Sequence, residues 1–228
     1  MIGRGKFSSA LAQLQTNIAF KDQKPTAFLA LRAEAYSGLN RLDDAEADFI
    51  KLKDLITGLG IKNNLQLYES ALTGLAQISF AKGNEARAMQ ILDELNATIP
   101  NSAKAGILRS QSALSRQDLE SAEKLLTDTL SGLPNTDTIT PLRATVLELL
   151  ANVLIRQGNS TEALVYTRIL ADSFPGYDTA QQELEYATEL YRKGNKKESE
   201  EALQKLLGQY PNYEPVSYTH LTLPTKCW

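Results

Sequence analysis

The chain has 228 residues with 24 basic and 27 acidic side chains, and this mildly acidic balance, with no basic cluster on one face, argues against a nucleic-acid or anionic-membrane surface. No apolar run reaches the roughly 20 residues that a membrane span needs. The single histidine, cysteine and tryptophan are His220, Cys227 and Trp228, so the rest of the chain lacks these three residue types.

The two ends differ from the middle of the chain. Residues 215–228 have no helical period and no charge before Lys226, and their back-translation closely resembles a transposon-end sequencing adapter. We therefore expect residues 215–228 to be a non-native, unstructured tail and residues 1–214 to be the folded part. At the other end, the stretch from Gly5 to Leu11 resembles a turn followed by the second helix of a pair. We interpret Met1 as an internal methionine and the first unit as incomplete.

A pattern of small and bulky residues recurs along the chain with a period near 34 residues. Pro100, Pro134, Pro175 and Pro211 are spaced by 34, 41 and 36 positions, with insertions predicted at 56–64 and 135–141, between units. The matching residues, unit by unit in chain order, are Gly5, Ala10 and Leu14; Leu29, Ala33, Tyr36, Asn40, Ala45 and Phe49; Leu72, Ala76, Gly83, Ala88, Leu92, Leu95 and Pro100; Gln117, Ala122, Leu126 and Pro134; Leu147, Ala151, Gly158, Ala163, Leu170 and Pro175; and Ala187, Gly194, Leu203, Leu206 and Pro211.

Each position of this pattern has a physical reason. Apolar residues at three- and four-residue spacing predict helices with one buried stripe, and the recurring alanines let two helices cross closely. Gly83, Gly158 and Gly194 suit the left-handed residue that ends the first helix of a pair. The proline that closes each unit ends the second helix, because proline has no backbone N–H to donate. The sequence therefore predicts antiparallel helix pairs that stack on one another.

These positions resemble the tetratricopeptide repeat, with departures at Gln117, Thr167 and Ser199. The resemblance implies an all-α, right-handed superhelical solenoid of about six units over residues 1–214, with the first and the last incomplete. It also implies that first helices line a concave groove that binds a peptide or partner protein. The groove residues that it implies are Gln77, Phe80, Lys104, Gln111, Leu114, Glu148, Asn152, Arg156, Thr188, Tyr191 and Arg192.

Several other sites are not expected. The acidic residues Asp43, Asp44, Glu46 and Asp48 are interpreted as a solvated outward face rather than a metal site, because a glycine turn for a hard cation is missing. Catalysis near neutral pH usually uses histidine, or a nucleophile with a nearby base, and an open groove does not shift carboxylate pKa values as a closed pocket does. We therefore expect no catalytic residues, no metal and no cofactor.

The favoured function is a non-enzymatic scaffold that binds a protein or peptide, with no nucleic-acid partner. A narrower likeness is to bacterial envelope proteins of exopolysaccharide and protein-sorting systems. One alternative is the regulatory repeat region of a larger enzyme or transcription factor, and another is RNA binding by a helical repeat. The sequence leaves open the partner, the oligomeric state and the compartment, whether cytoplasmic or periplasmic.

Overall fold

The computed structural model describes residues 2–134, 136, 138–174 and 176–211, with side chains from Gly5 onward. These residues form twelve α-helices and one 3-10 turn, and no strand. The helices are α1 (Ile2–Thr16), α2 (Ile18–Gln23), α3 (Pro25–Gly38), α4 (Leu42–Leu59), α5 (Leu65–Ala81), α6 (Glu85–Thr98), α7 (Ala103–Ser115), α8 (Leu119–Gly132), α9 (Pro141–Gln157), α10 (Ser160–Ser173), α11 (Ala180–Arg192) and α12 (Lys196–Gln209). The predicted tail, residues 215–228, lies outside the described residues.

The helices divide into two compact units, Met1–Asn135 and Thr136–Trp228. Consecutive helices pair in each unit. The first unit contains the pairs α3/α4, α5/α6 and α7/α8, preceded by α1 and α2, and the second contains α9/α10 and α11/α12. The all-α class and the antiparallel pairing are thereby confirmed within each unit. The boundary lies at the insertion predicted at 135–141, and a single array over residues 1–214 stays a prediction.

The first helix of every pair ends with the same turn. One residue adopts the left-handed conformation, with φ between 60° and 86°, and the next N–H donates to the carbonyl five residues back at 2.8–3.0 Å. This is the Schellman arrangement, which satisfies carbonyls that the helix end would leave unbonded. The left-handed residues are Asn40, Gly83, Gln117, Gly158 and Gly194. The predicted glycine turns are confirmed, and Gln117 keeps the same turn without a glycine.

Local signals also set the limits of the second helices. The side chains of Asn84, Asp118 and Asn159 each accept a hydrogen bond from a backbone N–H in the first turn of α6, α8 and α10. Helices α6, α8 and α12 end two residues before Pro100, Pro134 and Pro211, as predicted. The residue before a proline is driven out of the helical conformation by contact with the proline ring. Pro175 lies outside the described residues.

One core cluster of the first unit extends from α3 to α7. Ala33, Ala76, Leu52, Leu72 and Leu92 are all fully buried in one cluster. Close crossing depends on small residues, and at Gly74 a Cβ atom would lie 2.4 Å from the Phe49 ring. The second unit has a cluster of its own around Ala151, Leu154 and Ala163.

Two expectations about the first unit are wrong in detail. Gly5 lies within α1, not in a turn before it. A single glycine costs a helix only about 1 kcal/mol relative to alanine, which does not end it. Helix α4 continues to Leu59, so the insertion predicted at 56–64 lengthens a helix before it forms a loop. No described helix combines the length and the apolar character that crossing a membrane requires.

Candidate functional site

The first helices of the first unit form one face. Helices α3, α5 and α7 pack side by side, each with its second helix behind it, and among the described helices no comparable contact joins α4, α6 and α8. The first-helix layer is therefore the more crowded, inner side of this unit. It carries five of the residues implied by the resemblance: Gln77, Phe80, Lys104, Gln111 and Leu114.

Two rows of side chains run across this face. Gln77 on α5 and Gln111 on α7 are both exposed and stand six residues before the left-handed residue of their pairs. Phe80 and Leu114 stand three residues before the same turns and are half-buried, and Phe80 also packs against the core. The face thus combines a row of amides with a row of apolar side chains. On α3 the corresponding position, six residues before Asn40, is held by Glu34. This spacing could have identified Glu34 from the sequence.

Lys104 is already engaged within the protein. Its Nζ lies 3.2 Å from Glu69 Oε2, and the hydroxyl of Ser102 donates to Glu69 Oε1 at 2.6 Å. The carboxylate of Glu69, on α5, therefore bonds two residues at the start of α7: the capping Ser102 and Lys104. Because its charge is matched inside the unit, Lys104 contributes to the pairing of α5 with α7.

The predicted groove residues of the second unit are less closely grouped. Glu148, Asn152 and Arg156 are exposed on α9, and Tyr191 and Arg192 are exposed on α11. Within the described residues, no packing like that between α5 and α7 joins α9 to α11, which instead contacts α10 and α12.

Two residues of the second unit have contacts that concern the predicted groove. The hydroxyl of Thr188 donates to the carbonyl of Leu184 at 2.9 Å. Tyr177, between α10 and α11, has its pKa raised by burial and by the charge of Glu148, so this loop residue lies near α9. In the second unit Asn152 and Thr188 stand six residues before the turns, as Gln77 and Gln111 do, but the helices that carry them do not pack side by side.

The acidic residues at the start of α4 are only partly solvated. Asp48 is 3% exposed and accepts from Nε and Nη2 of Arg32 at 2.5 and 2.7 Å. Glu46 accepts from Lys82 and pairs with Arg87, both at 2.6–2.7 Å, and the bond from Lys82 lowers the pKa of Glu46. The solvated-face interpretation is wrong for these two residues, because their partners come from other helices. In the part of the chain that the structure describes, no group of three or more potential metal ligands occurs.

A partly buried hydrogen-bond network behind the face joins three helices. Tyr68 donates to Glu94 Oε1 at 2.7 Å, and Lys53 Nζ donates to Glu94 Oε2 at 2.8 Å. These residues belong to α5, α6 and α4. Burial, together with the bonded Glu94, raises the pKa of Tyr68 to about 12. Burial opposes ionisation of Glu94, but the hydrogen bonds from Lys53 and Tyr68 have the larger combined effect, so the pKa of Glu94 is lowered.

Comparison with known proteins gives matches to one repeat family. Models of the tetratricopeptide repeat match residues 107–178 and 184–213. Among curated proteins, none matches the chain significantly. The two matched ranges include most of the positions that form α7 to α12.

Several solved structures have a similar fold. A tetratricopeptide repeat protein from Parabacteroides merdae is 17% identical over 91% of this chain and 74% of its own, with a TM-score of 0.54. YrrB, described as a tetratricopeptide repeat protein with an unusual peptide-binding site, is 15% identical over 88% and 95%, with a TM-score of 0.56. BtubC from P. vanneervenii is 14% identical over 99% and 98%, with a TM-score of 0.62. At these identities the similarity concerns the fold alone.

Proposed function

Because this chain is a tetratricopeptide repeat protein, we propose that it is an interaction scaffold that binds an extended peptide segment of a partner protein on the first-helix face of its first unit. The observation that carries the proposal is the pair of matched rows on α5 and α7. Gln77 and Gln111 form the polar row, and Phe80 and Leu114 form the apolar row.

The spacing of these rows suits an extended chain. Packed helices lie about 8–10 Å apart, and an extended peptide advances about 3.3 Å per residue. Neighbouring first helices would therefore contact peptide residues about three positions apart. A glutamine amide both donates and accepts, so Gln77 and Gln111 can bond a peptide backbone whatever its side chains are.

The apolar row supplies an anchor. Phe80 and Leu114 are half-buried, so part of each side chain remains exposed on the face. An apolar peptide side chain that covers both would remove this surface from water, at about 25 cal/mol per Å² of apolar area. Among the described groove residues of this face, the one cation is Lys104, which is matched by Glu69, so we expect the central peptide residues to be uncharged.

The experiment is selection of peptides from a displayed random library on the 228-residue protein. We expect the enriched peptides to have an apolar residue at the centre. The double variant Gln77→Ala/Gln111→Ala should bind them at least tenfold more weakly, since two hydrogen bonds of about 1 kcal/mol each are lost. Gln90→Ala, an exposed glutamine on second helix α6, is the matched control and should bind normally. Equal affinity for the double variant and the wild type would contradict the proposed face.

A narrower role in bacterial envelope assembly or protein sorting rests on the sequence likeness alone. Sequencing the genomic reading frame tests it: an export or lipoprotein signal would support this role. A fused catalytic or DNA-binding domain would instead favour a regulatory repeat region.

A further inference from the structure

The interface between α10 and α11 contains two buried carboxylates. Among the charged side chains described as buried, Asp48 lies on α4, and the other two, Glu183 and Glu189, lie on α11. Glu183 is 5% exposed and Glu189 is 7% exposed. Charged residues are rarely this buried unless they are paired. Both carboxylates bond residues of α10, which belongs to the preceding helix pair, so they lie where one pair packs on the next.

Glu189 bonds the start of α10. Its Oε2 accepts from the backbone N–H groups of Ser160 at 2.5 Å and Thr161 at 3.2 Å. The first N–H groups of a helix have no partner within it, so this carboxylate bonds groups that α10 leaves free. The Nζ of Lys193 donates to the Oε1 of Glu189. Burial opposes ionisation of Glu189, but these bonds have the larger combined effect and lower its pKa, so the carboxylate is charged at neutral pH.

The positions of both glutamates are apolar on two other first helices. Glu183 accepts from Nε and Nη2 of Arg168 at 3.2–3.3 Å. Glu183 stands eleven residues before the left-handed Gly194, and Glu189 stands five residues before it. The residues at these two positions on α5 and α9, all at most 3% exposed, are Leu72, Ile78, Leu147 and Val153. Helix α11 therefore buries charge at positions where α5 and α9 bury apolar side chains.

This difference should make the α10/α11 interface easier to open than an apolar one. Separating apolar surfaces brings them into contact with water, which costs free energy in proportion to the exposed area. Separating buried ion pairs loses their attraction, but water then solvates each charged group, and the two effects largely cancel. Position for position, Glu183 and Glu189 therefore hold α11 on α10 less firmly than leucine and valine would.

Helices α11 and α12 are held together by bonds that do not involve α10. The buried hydroxyl of Ser199, on α12, donates to the carbonyl of Ala187, on α11, at 2.7 Å. The hydroxyl of Tyr210, after α12, accepts from the N–H of Thr179 at 3.2 Å and lies 3.1 Å from the Oγ1 of the same threonine. Helix α11 also packs more extensively on α12 than on α10. The pair has the bonds it needs to move as one body.

We propose that the α10/α11 interface is a hinge at which the pair α11/α12 opens as one body while α9 and α10 remain folded. The predicted groove residues on α11, which are Thr188, Tyr191 and Arg192, would move with this pair relative to those on α9. Opening would therefore change the width of the groove predicted in the second unit. The hinge does not depend on the peptide-binding face proposed for the first unit.

Hydrogen exchange of the 228-residue protein at pH 7, followed by mass spectrometry, tests the hinge. Cooperative opening of a segment gives its amides a common protection factor. We expect the amides of α11 and α12 to share one protection factor, at least tenfold below that of α9 and α10. Progressive fraying of α12 would instead give protection that decreases along that helix while α11 stays as protected as α9.

Two variants at the interface should change this opening in opposite directions. Glu183→Leu, which introduces the residue found at this position on α5 and α9, should raise the protection of α11 and α12 at least threefold. Arg168 is 48% exposed, so water solvates it when its partner is removed. Glu189→Gln should lower the protection of the pair at least tenfold, because three donors lose a charged acceptor. Glu200→Leu, at an exposed glutamate on α12, is the matched control and should leave the protection unchanged.

Three results would overturn the hinge. The first is exchange of α11 and α12 no faster than that of α9 and α10, and the second is a loss of protection graded along α12. The third is a failure of Glu183→Leu and Glu189→Gln to shift the protection in these opposite directions. Exchange in α9 and α10 reports whether each variant keeps its fold. Gln77→Ala/Gln111→Ala should leave all these rates unchanged, so the hinge and the peptide-binding face can fail separately.

Discussion

Replacing Gln117 with glycine should stabilise the protein, although the residue makes no described side-chain contact. Gln117 has a φ of 61° at the end of α7, in the position that glycine holds after α5, α9 and α11. A non-glycine residue in the left-handed region costs of order 1–2 kcal/mol, and glycine removes that cost while adding roughly 0.5–1 kcal/mol of unfolded-state entropy. The expected gain of Gln117→Gly is therefore about 0.5–1 kcal/mol, measured by urea unfolding followed by circular dichroism.

Two controls separate backbone conformation from side-chain loss. Gly83→Ala is the reverse change at an equivalent turn where a Cβ would meet nothing within 4 Å, so only the conformational cost of about 1 kcal/mol should appear. Gln90→Gly, at an exposed helical position, should destabilise by about 1 kcal/mol. If Gln117→Gly destabilised the protein as Gln90→Gly does, the shared-turn interpretation would be wrong.

Three further changes probe the packing behind the face. Because the pKa of Glu94 is lowered in the folded state, the ionised Glu94 should stabilise the protein fully above the ordinary value of 4.5, and this stabilisation should be lost as pH falls through the folded pKa. In measurements of the free energy of unfolding against pH, Glu94→Gln should therefore lose less stability in acid than the wild type does. Asp48→Ala should lower the free energy of unfolding in urea by about 2–3 kcal/mol, because it leaves the partly buried Arg32 without its carboxylate partner. A decrease below about 0.5 kcal/mol would contradict a structural role for this ion pair. Gly106→Ala should cost about 1–3 kcal/mol, since its Cβ would lie 2.0 Å from Thr129 Oγ1, and adding Thr129→Ala should recover most of the loss.

The proposed peptide-binding face illustrates how much the repeat pattern of the sequence can assign. The resemblance assigned Gln77, Gln111, Phe80 and Leu114 to the groove, and each pair has the same spacing from the turn that ends its helix. The resemblance assigned Lys104 to the same groove, yet its carboxylate partner lies 35 residues earlier in the sequence, on the preceding first helix. Such a pairing depends on how two side chains meet across a helix interface, which periodicity does not specify.

The sequence by itself determined the helices, their turns and their pairing. Glycine and asparagine at left-handed positions and prolines after second helices act on their own backbone neighbours, so these signals need no tertiary information. Only the tertiary structure decided which charged side chains form ion pairs and that Asp48 is buried. It also decided that α9 and α11 lack the close packing of α5 and α7. Those features depend on the distances and angles between helices, which many side chains set together and no single local signal encodes.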